Sequence, residues 1–125
     1  MARRVRTSFK KLHQKRPRLY QALSDTKGMT SSGAYRRLTR KRIKPLTPLV
    51  KIRKMAKLAS KRAGVPIVIT QDMHGCKHAD GVAVKEKGKV SARLHPVLKY
   101  QDKRYIEDVI GHELDHAKVL KRQKN

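Results

Sequence analysis

The sequence predicts an α+β fold: a small sheet of about three strands with a backing helix and a C-terminal helix, preceded by a basic, partly helical N-terminal arm. Three observations lead to it. The apolar period is helical from Pro48 to Ala63, gives way to short β-branched runs between Val65 and Leu94, and becomes helical again after Asp102. Gly or Pro marks most of these changes. The charge is also uneven, with 21 Lys and Arg against Asp25 alone in residues 1–63 and 12 against 8 acids in the remainder.

The elements follow in order. Pro17 opens a short helix through Leu23, and Lys27-Gly28 closes it. Ser31-Ser32 caps a second basic helix, Ala34 to Lys41, before Pro45. Thr47 and Pro48 read as an N-cap followed by Pro at the first helical position. From there Leu49, Ile52, Met55, Ala56 and Ala59 recur at helical spacing, while Lys54, Lys57 and Lys61 occupy the opposite face, with Lys51 and Arg53 at its edges. Gly64 stops this helix, and Val65–Thr70 reads as a buried strand. A polar loop over 71–80 leads to two runs, Gly81–Lys85 and Val90–Leu94, around the hairpin signal Glu86-Lys87-Gly88-Lys89. Asp102 then caps a last helix with the stripe Tyr105, Ile106, Val109, Ile110, Leu114 or Ala117, and Leu120. The division is therefore a basic arm over residues 1–45 and a globular domain over 46–125.

Composition limits the function. A net charge of +24 over 125 residues predicts an anionic partner, and nucleic acid is the default one. The arm's candidates for phosphate contact are Arg3, Arg4, Arg6, Lys10, Lys11, Lys15, Arg16, Arg18, Arg36, Arg37, Arg40, Lys41, Arg42 and Lys44. Phe9, Tyr20 and Tyr35 are its only aromatics, so sequence-independent backbone contact is favoured over base stacking, and DNA is not distinguished from RNA. The single Cys76 excludes an internal disulfide framework and suits a reducing compartment or a particle interior. No apolar run approaches the roughly 18 residues that would cross a bilayer. The basic N-terminus has no apolar core of a secretory signal, so an intracellular or virion-packaged protein is expected.

The last helix carries Gly111-His112-Glu113-Leu114-Asp115-His116-Ala117, which contains the pattern H-E-x-x-H. Residues four apart share a helix face, so both imidazoles can reach one ion with Glu113 beside them. Imidazole nitrogen suits zinc, which acidifies a bound water and leaves a carboxylate such as Glu113 to act as base. The stretch Val109–Ala117 resembles the zincin metallopeptidases. With the preceding order of helix and strands, the resemblance extends over roughly Pro48 to Leu120 and looks like a minimal zincin of the kind found in small bacteriophage proteins. It implies one Zn2+ held by His112 and His116, with Glu113 as the catalytic base of peptide hydrolysis.

A third protein ligand is not given by the motif. Nine residues follow His116, and Val119 and Arg122 stand where the extended motif has Gly and His. The ligand then lies upstream, comes from another chain, or is absent. Upstream, His74-x-Cys76-x-His78 sets three donors on alternating positions, and His95 ends the hairpin. His112 lies about 15 Å along the helix from Asp102, so His95 would sit near the helix start, and His74 or His78 is preferred. Asp108 and Asp115 are surface groups or partners that orient an imidazole. Tyr100 and Tyr105 offer hydroxyls to an oxyanion, with core packing the competing use of Tyr105.

The expected function is a nucleic-acid-associated zincin-like metalloprotein, a zinc-dependent peptidase acting on proteins near nucleic acid. The competing expectation is a non-catalytic, nucleic-acid-binding component of a virion or ribonucleoprotein that retains the scaffold.

Overall fold

The computed structural model describes residues 15–123, and among them four α-helices, three strands and a short 3-10 turn follow one another from Pro17 onward. Helix α1 (Pro17–Asp25) opens on its proline, whose fixed φ suits a first turn and whose missing N–H needs no partner there. Helix α2 (Ser31–Arg40) begins three residues before the expected Ala34. Thr30 caps it, its Oγ1 accepting from the Gly33 N–H at 3.0 Å. Ser31 instead donates its hydroxyl to the Ala79 carbonyl at 2.6 Å.

Helix α3 (Leu49–Ala63) also corrects its expected cap. Pro48 takes the N-cap position, and Thr47 is buried with its hydroxyl on the Gln101 carbonyl at 2.8 Å. A long-range bond thus uses the side chain that local pattern assigned to the helix. The stop is as expected: Gly64 is left-handed, φ 67°, and its N–H reaches the Ser60 carbonyl at 2.8 Å.

Strand β1 (Ile67–Ile69) is shorter than the Val65–Thr70 run and is an edge rather than a buried strand. Strands β2 (Gly81–Glu86) and β3 (Lys89–Leu94) form the hairpin, joined by Lys87 and Gly88 at φ 51° and 79°. Two successive left-handed residues are what a two-residue turn matched to strand twist requires. The order is β1-β3-β2, with β1 parallel and β2 antiparallel to β3. After β3, the His95 imidazole accepts from the Val97 N–H at 3.0 Å and caps the 3-10 turn Pro96–Tyr100. Asp102 then caps helix α4 (Lys103–Arg122) through the Tyr105 N–H at 2.8 Å.

Helices α3 and α4 cover one face of the sheet. Ile52, Ala56, Leu94, Ile106 and Val109 share one buried cluster, and Val90, Ala92 and Ala117 share another with Val65. Full burial of each large aliphatic contributes about 1.5–3 kcal/mol. Side chains alternate along a strand, so Arg93 points to the opposite face, where it contacts Asp72 at 3.1 Å and Glu86 at 2.6 Å. Helices α1 and α2 meet the rest of the chain through Leu19, Ala22, Leu38 and Ile43, which surround Tyr100. Among the described residues no helix is long and apolar enough to cross a membrane.

Candidate metal centre

Helix α4 is amphipathic, and its third and fourth turns carry the motif. The stripe Ile106, Val109, Ile110, Glu113 and Ala117 faces inward, so the helix phase puts His112 and His116 on the exposed side and Glu113 inside. The two imidazoles lie edge to face with centroids 4.2 Å apart. The Nδ1 of His116 is 3.3 Å from Oε1 of the buried Glu113. A proton on Nδ1 then faces the carboxylate and leaves the Nε2 lone pair for a ligand.

A residue the sequence did not single out comes close to Glu113. Gly81 opens β2 directly against the helix. A Cβ there would stand 2.8 Å from the Val109 Cγ1, 3.1 Å from the Glu113 Cγ and 3.3 Å from its Oε2. The strand start thus passes so close to Val109 and Glu113 that only a residue without a side chain fits there. A glycine opening a strand is itself a sign of close backbone approach, and that signal was readable in Gly81.

The donor set suits a metal. One donor atom each from His112, Glu113 and His116 lies within 4.8 Å of the others. Two imidazoles one helical turn apart match zinc's preference for nitrogen donors, and the carboxylate between them stands close enough to serve a water on the same ion. Among the described residues no other group of three or more such donors comes together.

His74 and His78 do not join this group. The His74 N–H bonds the Asp72 carboxylate at 3.0 Å, and Asp72 is held by Arg93 on the sheet face away from α4. His78 is tied to the α1–α2 connection, its Nδ1 3.2 Å from the Met29 carbonyl. Cys76 is exposed in the same loop. His95 is buried, with Nδ1 accepting from Val97 and Nε2 3.0 Å from the Ser32 hydroxyl. Desolvation holds its pKa below the ordinary 6.5, against the opposing pull of the Asp80 carboxylate. It is a neutral capping group.

Both tyrosines are turned inward. The Tyr105 hydroxyl donates to Asp80 at 2.5 Å, and that of Tyr100 lies 3.4 Å from the Thr39 hydroxyl. Asp108 and Asp115 are exposed.

Of the cationic candidates, Arg3, Arg4, Arg6, Lys10 and Lys11 lie outside the described residues. Arg36, Arg37 and Arg40 are exposed on α2, followed by Lys41, Arg42 and Lys44, which are also exposed, and Lys15 is exposed ahead of α1. Arg16 and Arg18 bond the Lys44 and Lys41 carbonyls at 2.7 and 2.9 Å, bracing α1 against the end of α2. Lys41 also approaches Asp25 at 3.7 Å. No family model, curated protein or solved structure matches the chain. Its function is therefore read from its own geometry.

Proposed function

We propose that this chain is a nucleic-acid-associated zincin-like metalloprotein that hydrolyses peptide bonds in proteins near the nucleic acid. The observation that carries the reading is the convergence of His112, Glu113 and His116 on one short stretch of α4, with donor atoms within 4.8 Å of one another. His112 and His116 would hold the ion, with Glu113 as the base. Zinc, when bound, supplies a Lewis acid that makes water nucleophilic near neutral pH and polarises a carbonyl. With the ion bound, Glu113 would take the proton of the attacking water and pass it to the leaving amine. The close approach of the Gly81 backbone limits the space beside that carboxylate. Exposed Arg36, Arg37, Arg40 and Arg42 supply the nucleic-acid contact, and their planar guanidinium groups suit phosphate. Intracellular residence or packaging within a virion belongs to the same reading.

A second reading keeps the scaffold without turnover, as a structural nucleic-acid-binding component of a virion or ribonucleoprotein. It is favoured by the donor set, which among the described residues holds two imidazoles and one carboxylate with no further ligand beside them. One experiment separates the two. On the peptidase reading, purified protein carries one zinc per chain, the double variant His112→Ala/His116→Ala carries none, and Glu113→Gln retains zinc but loses proteolysis. Zinc-free protein, or proteolysis unchanged in Glu113→Gln, removes the enzyme reading. The structural reading expects Glu113→Gln to be harmless and neutralisation of Arg36, Arg37, Arg40, Lys41 and Arg42 to abolish function.

A further inference from the structure

Among the described residues strand β1 pairs on one side only, and its other side faces a cationic groove. In a parallel pair, alternate residues turn both backbone groups toward the neighbour. Here the Ala92 N–H donates to the Pro66 carbonyl and the Thr70 N–H to the Leu94 carbonyl, both at 2.9 Å, with Ile67 in register with Ala92 and Ile69 with Leu94. Pro66, Val68 and Thr70 therefore serve β3. The N–H and C=O of Ile67 and Ile69 point away from the sheet.

The groove beyond them runs between β1 and α3, and Arg53, Lys57 and Ser60 form its far wall. Arg53 and Lys57 are exposed, one helical turn apart, along that wall. On the opposite sheet face, the Val68 side chain is 51% exposed.

We propose that this edge binds an acidic, extended peptide of a partner protein, which adds as a further strand beside β1. The proposal is independent of the metal-site reading. An added strand would take its main-chain bonds from Ile67 and Ile69. Its side chains would alternate, carboxylates toward Arg53 and Lys57 and apolar groups beside Val68. The backbone chemistry selects the occupant. Ile67 and Ile69 present carbonyls as well as N–H groups, so the ligand must donate as well as accept. A peptide does both, whereas phosphate oxygens only accept. A second copy of this chain is opposed by charge, because pairing edge to edge would bring its own two cations against Arg53 and Lys57.

The test uses the full chain and a fluorescein-labelled synthetic peptide alternating Glu and Val, with binding read by anisotropy. Controls are a peptide alternating Lys and Val, and the Glu–Val peptide with alternate backbone nitrogens methylated, which keeps the charge but loses the donors. The expected result is saturable binding of the first peptide only, with slowed amide exchange at Ile67 and Ile69. Arg53→Glu/Lys57→Glu, with both changes on the exposed face and an unchanged melting temperature, would weaken that binding by about tenfold and transfer preference to the Lys–Val peptide. Equal binding of the methylated peptide, or unaltered exchange at Ile67 and Ile69, would overturn the proposal. So would protection of those amides by an oligonucleotide and not by the peptide.

Discussion

Glu113 and His95 are both buried ionisable groups, and they are buried to different ends. Glu113 shares the apolar stripe of α4 because the helix phase that exposes His112 and His116 turns the residue between them inward. Gly81 makes room for it, so Gly81→Ala forces its new methyl against Val109 and Glu113. The expected cost is about 1–3 kcal/mol, seen as a lowered melting temperature, with zinc retention reporting separately on the site. His95 is buried neutral. Burial lowers its pKa, so as pH falls below 6.5 the unfolded chain accepts a proton that the folded chain resists. Stability is therefore lost over that interval on acidification, and urea midpoints for His95→Gln should vary less between about pH 7 and pH 5 than those of the parent. A steeper dependence in the variant would contradict this account.

At the scale of the element, α4 was legible because every signal agrees: the Asp102 cap, the stripe and the motif are all local. The cap is open to direct measurement. Asp102→Ala removes the acceptor of the Tyr105 N–H and should cost about 1 kcal/mol of stability without moving the helix. Caps elsewhere were misassigned for an identifiable reason. Thr47 and Ser31 are good cap residues by type, but each is taken by a distant carbonyl, Gln101 and Ala79 respectively. Local pattern cannot weigh a local bond against one that exists only after folding. Strand β1 shows the same limit, since a β-branched run does not say on how many sides a strand will be paired.

At the scale of the whole molecule, the charge of the first half is carried on a folded surface as well as on residues outside 15–123. Arg36, Arg37 and Arg40 stand on a helix whose Leu38 is buried with Tyr100. If that surface meets phosphate, nucleic-acid affinity falls steeply with salt, and neutralising those three arginines flattens the log–log slope by roughly 0.7–0.9 for each phosphate they had neutralised. A slope indifferent to their removal would place the phosphate-binding surface elsewhere. The sequence by itself determined the α+β class, the hairpin, the start of α4 and the shared face of His112 and His116, because each depends on spacing within a short stretch. Only tertiary structure decided the rest. Arg93 draws the start of the His74–His78 loop onto the sheet face away from α4, Gly81 meets Glu113 from a distant stretch of chain, and β1 is left as an edge. Each depends on which face or edge a distant segment occupies, a choice set by packing the whole core rather than by any local period.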